Sequence, residues 1–97
     1  MKIPIALTIA GSDSGGGAVI QADLKAMSAL GVYGASVITA VTAQNTVAVS
    51  AVHEMPPDIV AAQISTVLSD IEIDAIKLGM LFSPAIIAAV ADELAQF

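Results

Sequence analysis

The chain has 97 residues, of which 57% are hydrophobic and 3% aromatic, and its formal net charge is −6. This length allows one small domain, and the apolar fraction is too high for a disordered chain. The only cations are three lysines, so the clustered basic residues that nucleic acid binding requires are missing. The absence of cysteine excludes disulfide bonds and thiolate metal sites, and it is compatible with a reducing cytosol.

The first predicted elements surround a glycine-rich turn. Residues 3–10 are apolar without alternation, which predicts a strand buried on both of its faces. Three consecutive glycines occupy positions 15–17, and residues 18–30 then carry apolar side chains at helical spacing, which predicts a helix. The apolar stripe of this helix consists of Ile20, Leu24, Met27 and Leu30.

The glycine turn matches neither of two common phosphate-binding fingerprints. A Walker-type loop needs a lysine directly after its last glycine, and the Gly-x-Gly-x-x-Gly pattern has Ile20 where its third glycine belongs. A strand, a glycine turn and a helix N-terminus still form a ready site for an anion or a small molecule, because the first helical N–H groups are unpaired. Two alternatives remain open, a flexible turn and a ligand cradle of another kind.

The rest of the chain alternates between predicted strands and helices. The pattern predicts a buried strand at 32–43 and a short strand or extended loop at 46–55. It then predicts a helix that begins at Pro56–Pro57 and a short strand at 74–80. A last helix is predicted to begin at Ser83 and Pro84 and to end near residue 97. The two later helices have apolar stripes formed by Val60, Ile64, Val67, Leu68 and Ile71, and by Ile87, Val90 and Leu94. Such alternation predicts a parallel α/β sheet with right-handed crossovers.

Two stretches have a superficial resemblance to membrane-related segments. The uncharged run at 26–52 is long enough to span a membrane, but glycines and polar residues interrupt it and its period changes midway, so a helix followed by a buried strand fits better. Residues 1–10 have the form of a short signal peptide, yet they pass directly into the glycine turn and Asp13. The sequence therefore predicts no membrane partner.

Small or polar residues follow each predicted strand. Residues 11–13 follow the first strand, Thr42, Gln44 and Asn45 lie at the end of the second, and residues 79–80 follow the later one. Ligands of parallel sheets bind beyond the carboxyl ends of the strands, so the sequence predicts one site at one edge of the sheet. The sheet has few strands for its class, which predicts the front part of a longer domain or a unit that associates, for instance as a homo-oligomer.

Three motifs in combination resemble a known enzyme family. They are Gly-Ser-Asp at 11–13, Gly-Gly-x-x-Ile-Gln-Ala-Asp-Leu-Lys at 16–25, and Thr-Ala-Gln-Asn-Thr at 42–46, with Lys-Leu-Gly-Met at 77–80 in support. The chain resembles the bacterial hydroxymethylpyrimidine and hydroxymethylpyrimidine-phosphate kinases of thiamine biosynthesis, of the ribokinase-like superfamily. The resemblance extends from Ile3 onward. It implies a three-layer α/β fold, with a mostly parallel sheet and flanking helices, of which residues 1–97 form the N-terminal part of a single kinase domain.

The resemblance implies a phosphotransferase of the cytoplasm. Its reaction would be ATP-dependent phosphorylation of 4-amino-5-hydroxymethyl-2-methylpyrimidine and of its monophosphate, assisted by Mg²⁺. In this family the nucleotide site and the catalytic base lie later in a longer chain, so no catalytic residue and no metal ligand is expected here, and the 97 residues alone should give no turnover. The alternatives are a pyridoxine- or pyridoxal-type kinase, a non-catalytic pyrimidine-binding or oligomerising half-domain, and a fragment that is not independently stable.

By matching position, the resemblance implies a substrate site of five residues. Gln44 would hold the pyrimidine through its carboxamide, Gly11 and Ala18 would line the cavity of the ring, Asp23 would contact the substrate, and Met80 would pack against the ring. An aminopyrimidine presents a donor beside an acceptor, to which a carboxamide offers the complementary pair. A thioether is an adaptable apolar surface for a flat ring.

One residue departs from the family pattern, and several others have simpler interpretations. Val19 stands where the family usually has glycine, so its branched side chain is expected to narrow the cavity or to shift the start of the helix. Asp13 is typical of a residue that caps a turn, and His53 has no carboxylate or cysteine at useful spacing. The acidic residues near the later strand favour a solvated surface over a metal site; they are Asp70, Glu72 and Asp74.

Overall fold

Five strands and three helices lie within residues 2–97, the part of the chain that a computed structural model describes. In chain order these are β1 (Ile5–Ala10), α1 (Val19–Ala29), β2 (Tyr33–Ile38), β3 (Ala40–Gln44), β4 (Val49–Glu54), α2 (Pro57–Leu68), β5 (Ala75–Leu78) and α3 (Pro84–Leu94).

A parallel three-stranded sheet forms the centre of the fold, with the strand order β2-β1-β5. In the middle strand Ile9 pairs with Val37 of β2 and with Leu78 of β5. Residues 7–10 of β1 are buried, because both faces of the strand are covered. The predicted parallel sheet with a buried first strand is therefore confirmed, while β5 lies at an edge of this sheet with all four of its residues exposed.

The helices cover the sheet from both sides and give a three-layer arrangement. Leu7 and Ile9 face α2 and α3, where they form a core with Val60, Ile64 and Val90. Helix α1 packs against β1 and β2 on the opposite face, where it buries Ile20. Burial of such branched aliphatic side chains is the main stabilising contribution to a domain with few aromatic residues.

The predicted strand at 32–43 is wrong as a single buried strand. Strand β2 ends at Ile38, and β3 leaves the sheet to form an antiparallel ribbon with β4, in which Val41 pairs with His53. The break occurs at Thr39, whose N–H donates to the carbonyl of Ala10 and whose hydroxyl donates to the carbonyl of Met80. The segment at 46–55 does contain a strand, β4, which confirms the first of the two predicted alternatives.

The helices begin and end close to their predicted limits, with local corrections. The Ser83 side chain caps α3 by accepting the N–H of Ile86 at 3.2 Å, as predicted. Ile86 and not Ile87 is then buried, because the cap fixes the rotation of the helix and position 87 lies about 100° around it. Leu30 caps the end of α1 and is exposed, and Ile71 lies beyond the end of α2. Among the described residues, no helix is long and apolar enough to cross a membrane.

Candidate functional site

The glycine turn is closed on the buried carboxylate of Asp13. One oxygen, Oδ1, accepts the N–H of Gly15 at 2.8 Å, and Oδ2 accepts the N–H of Gly17 at 3.0 Å. The carbonyl of Asp13 accepts the N–H of Gly16 at 2.9 Å, and its own N–H donates to Oε1 of Gln21 at 2.7 Å. Asp13 thus caps the turn as predicted, and it fixes the path of the loop as well.

This arrangement does not fit a phosphate group. The loop N–H groups that an anion would need are already bonded to a carboxylate, whose negative charge would repel it. The N–H of Ile20 in the first turn of α1 donates to the carbonyl of Gly11 at 3.2 Å. No group of three or more potential metal ligands lies together within residues 2–97. The glycine turn therefore does not offer a phosphate-binding site.

Strand β3 runs beside the start of the glycine turn and is bonded to it. The Ser14 hydroxyl accepts the N–H of Gln44 at 2.6 Å and donates to the carbonyl of the same residue at 2.8 Å. Two residues before Ser14, the backbone of Ser12 makes two further bonds to β3. Its N–H donates to the carbonyl of Ala40 at 2.9 Å, and its carbonyl accepts the Thr42 hydroxyl at 2.8 Å. These bonds bring Gln44 against the turn.

A cavity of about 330 Å³ lies between the glycine turn, the β3–β4 ribbon and the residues that follow β5. Its walls are mainly aliphatic, and they include Ala18, Gln44 and Met80. Three of the five residues that the resemblance selects are therefore brought together from segments far apart in the sequence. The other residues of the wall are Ser12, Val19, Thr42, Val49, Val52 and Phe82.

The carboxamide of Gln44 lies beside the Thr42 hydroxyl at the wall of the cavity. Its Oε1 lies 3.2 Å from the hydroxyl of Thr42, which is 8% exposed. Its Nε2 makes no hydrogen bond to any of residues 2–97, so it can donate to a ligand in the cavity. Residues 42 and 44 are two positions apart in β3, so their side chains lie on the same face of the strand.

Gly11 and Asp23 lie outside the walls of this cavity. Gly11 is buried behind Phe82, where an added Cβ atom would lie only 2.5 Å from Cε2 of that ring. Asp23 is 12% exposed and lies on α1, where it accepts the hydroxyl of Thr8 at 2.6 Å and the ammonium group of Lys77 at 2.6 Å. Asp23 therefore connects α1 to two strands of the sheet, and its predicted contact with the substrate stays a prediction.

Asp23 has a lowered pKa, which makes it a source of acid sensitivity. Burial alone would raise the pKa of this carboxyl, but the hydrogen bonds from Lys77 and Thr8, together with the charge of Lys77, lower it below the usual 3.8. A carboxyl with a lowered folded-state pKa stabilises the protein above its unfolded-state pKa, and this contribution is lost as the pH falls through the folded-state value.

We expect Asp23→Asn to lower the free energy of unfolding by about 1 kcal/mol at pH 7 and to reduce its dependence on pH below about 4. The measurement is urea denaturation at pH 7 and at pH 3. Asp58→Asn, at an exposed position in the first turn of α2, is the matched control. Equal acid sensitivity of Asp23→Asn and the unmodified protein would contradict a stabilising Asp23–Lys77 pair.

Val19 has a φ of 45°, in the left-handed region that disfavours a branched side chain. It is the first residue of α1, directly after an extended Ala18 without a side-chain cap. Replacing Val19 with glycine would relieve this strain, which should stabilise the folded state by about 1–2 kcal/mol. The greater conformational freedom of glycine in the unfolded chain opposes this gain by about 0.5–1 kcal/mol. The branched side chain of Val19 lines the cavity, and the narrowing of the cavity by this side chain stays a prediction.

We therefore expect Val19→Gly to raise the free energy of unfolding by about 0.5–1 kcal/mol and to strengthen binding of a ring in the cavity. Thermal denaturation and calorimetric titration would measure the two effects. Val47→Gly, in the exposed turn of the ribbon, should lower stability or leave it unchanged. A Val19→Gly protein with unaltered ligand affinity would disprove the narrowing.

The sequence did not reveal Phe82 as part of the cavity. The sequence could have indicated this role, because Phe82 is one of only three aromatic residues in the chain and lies two positions after Met80. Val49 and Val52 of β4 were also missed as wall residues. They become recognisable only when β3 and β4 are known to pair with a register shift at Ala43 and Gln44, because residues three positions apart lie on opposite faces of a regular strand.

Comparison with known proteins agrees with this architecture. The family model described as phosphomethylpyrimidine kinase matches residues 13–97. The hydroxymethylpyrimidine/phosphomethylpyrimidine kinase of Rhizobium meliloti (strain 1021) is 62% identical over 93 residues, which cover 96% of this chain and 35% of that protein. The chain thus spans about a third of the length of the curated relatives it matches.

Solved structures extend the similarity to the fold. The crystal structure of phosphomethylpyrimidine kinase from Clostridium difficile 630 superposes with a TM-score of 0.94 at 54% identity, over 99% of this chain and 41% of that one. Pyridoxal kinase from Staphylococcus aureus, in complex with AMP-PCP and pyridoxal, superposes with a TM-score of 0.86 at 38% identity, over 99% of this chain and 36% of that one. With a family match over most of its length, the chain belongs to the phosphomethylpyrimidine kinase family.

Proposed function

We propose that this protein transfers a phosphoryl group from ATP to 4-amino-5-hydroxymethyl-2-methylpyrimidine and to its monophosphate, in thiamine biosynthesis. In this proposal the 97 residues are part of one kinase domain and supply the pocket for the pyrimidine ring. The observation that carries it is the Gln44 carboxamide, which lies together with Ala18 and Met80 at the wall of an otherwise mainly aliphatic cavity.

The chemistry of the cavity suits a flat heteroaromatic ring. The carboxamide can donate to a ring nitrogen or accept from an exocyclic amino group. Met80 offers a polarizable thioether, and Phe82 offers an aromatic surface. Most of a small ring can be enclosed here, since small-molecule sites are apolar clefts with few polar groups. The R. meliloti relative is named for the same two substrates.

The nucleotide has to bind elsewhere in this proposal. The glycine turn bonds its own N–H groups to Asp13, and no metal-binding cluster lies within residues 2–97. We therefore propose that ATP and Mg²⁺ bind mainly through parts of the kinase that these residues do not include, and that the enzyme acts in the cytoplasm. The fragment would then position the hydroxymethyl group without any part in the transfer itself.

Pyridoxal is the second candidate substrate, because the S. aureus kinase of the same fold is in complex with it. Its ring is also flat and carries a hydroxymethyl group. The pyrimidine is favoured, since sequence identity to the pyrimidine kinases reaches 62% and identity to that pyridoxal kinase is 38%.

The test is a phosphotransfer assay on the complete gene product with the pyrimidine alcohol, its monophosphate and pyridoxal, with products identified by mass. We expect ATP-dependent phosphorylation of the first two compounds, and none by residues 1–97 alone. Transfer only to pyridoxal would reassign the substrate. Binding of the pyrimidine without transfer by the complete product would favour a non-catalytic binding module.

A further inference from the structure

We propose that Phe82 is the specificity-determining residue of the cavity, and that its ring sets the size of the heteroaromatic ring that can enter. This inference rests on the proposed function. Neither the sequence motifs nor the resemblance assigns a role to this position. The support comes from the backbone at Phe82, from the space at Gly11 and from the composition of the wall.

The backbone at Phe82 is strained. Its φ is 73°, and the N–H of Ser83 donates to the carbonyl of Leu81 at 2.9 Å, so Phe82 is the central residue of a γ-turn with a positive φ. Within residues 2–97 only Val19 shares a positive φ without being glycine, and both residues line the same cavity. Strain of this kind persists where the surrounding structure fixes it, and it concentrates at ligand sites.

Anchors on both sides hold the turn. Before it, the N–H of Gly79 donates to the carbonyl of Ile9 at 2.8 Å, and the carbonyl of Met80 accepts the Thr39 hydroxyl at 2.9 Å. After it, Ser83 is the N-cap of α3. The sheet and the helix therefore fix the backbone of Phe82 at the wall of the cavity.

Gly11 provides the space that the ring occupies. A Cβ atom at this position would lie 2.5 Å from Cε2 and 2.7 Å from Cζ of Phe82, which is closer than any ordinary contact. With a side chain at position 11, the ring would have to leave this place. Gly11 thus acts on the cavity through Phe82.

The ring is the one aromatic part of the wall. The other two aromatic side chains, Tyr33 and Phe97, do not line the cavity and are exposed. An aromatic face or edge prefers defined offset or perpendicular contacts with a flat ring, which aliphatic side chains do not impose. Phe82 is also a less adaptable part of the wall than the flexible thioether of Met80.

The experiment measures the dissociation constants of the pyrimidine alcohol and of pyridoxal by calorimetric titration of the complete gene product. Pyridoxal carries one more ring substituent, so we expect Phe82→Ala to lower the ratio of its dissociation constant to that of the pyrimidine by about tenfold. Phe82→Leu should lower it less and serves as a second variant if alanine prevents folding. Phe97→Ala, which truncates a phenylalanine outside the cavity, should leave the ratio unchanged.

Gly11→Ala tests the space for the ring. We expect it to weaken binding of both compounds by pushing the ring into the cavity, and to weaken it much less in a Phe82→Ala background. An unchanged ratio in both Phe82 variants would overturn the inference, as would a Gly11→Ala effect that persists without the ring. An unmodified protein that binds neither compound would instead refute the proposed function, so the two failures are distinguishable.

Discussion

Asp13→Ala is expected to lower the free energy of unfolding by about 3–5 kcal/mol. The carboxylate is 5% exposed and accepts the N–H groups of Gly15 and Gly17. Each hydrogen bond to a charged group contributes about 1.5–3 kcal/mol, and Asp13→Ala removes the acceptor of both bonds. Urea denaturation of the complete gene product would measure the change.

Two matched variants separate the hydrogen bonds from the charge. Asp13→Asn keeps one acceptor oxygen, so about half of the loss is expected. Asp92→Ala removes a carboxylate from an exposed position of α3, and it should change the free energy of unfolding by less than about 0.5 kcal/mol. Equal losses for Asp13→Ala and Asp92→Ala would mean that the loop does not depend on its internal bonds.

Asp13→Ala should also weaken binding of the pyrimidine. The loop carries Ala18, which lines the cavity, and Ser14, which holds Gln44 through two backbone hydrogen bonds. A loop that is no longer closed on Asp13 presents these groups in many arrangements, so binding has to order them first. Stability and affinity should therefore fall together in this variant.

Local periodicity predicted most of the elements, because helices and strands bury their apolar residues at different intervals. The passage from β2 of the parallel sheet to β3 of the ribbon at Thr39 was not predicted, because the sequence pattern does not change there. Residues 37–42 remain apolar or β-branched through the break, so their composition favours a strand throughout. What divides the segment is a pair of hydrogen bonds from Thr39 to Ala10 and Met80, which are distant in the sequence.

The site was predictable only in part for similar reasons. Ala18 and Met80 follow β1 and β5 of the parallel sheet, so a motif can place them beyond its carboxyl edge. Gln44 belongs to the β3–β4 ribbon, and its hydrogen bonds to Ser14 bring it to that edge. The partners of Asp23 stand 15 and 54 positions away, and no local pattern indicates that a helical carboxylate will meet Thr8 and Lys77. The left-handed backbone of Val19 and Phe82 was likewise unpredictable, because neither residue type favours it.

Gln44→Leu is expected to weaken binding of the pyrimidine alcohol by about 100-fold, equal to about 2.7 kcal/mol. Leucine has a similar size, so the cavity keeps its shape while the ring loses its only carboxamide partner. The hydrogen bonds between the Gln44 backbone and the Ser14 hydroxyl do not involve the replaced side chain, so the free energy of unfolding should change little. Calorimetric titration of the complete gene product would measure the affinity.

Gln44→Glu identifies which half of the carboxamide matters. An ionised glutamate keeps the acceptor oxygens and removes the Nε2 donor, which is the atom without a partner in the structure. If the ring is held by donation from Nε2, this variant should lose nearly as much affinity as Gln44→Leu. Gln96→Leu, at an exposed position after α3, controls for the loss of a glutamine elsewhere. Full affinity in Gln44→Glu would show instead that the ring donates to this side chain.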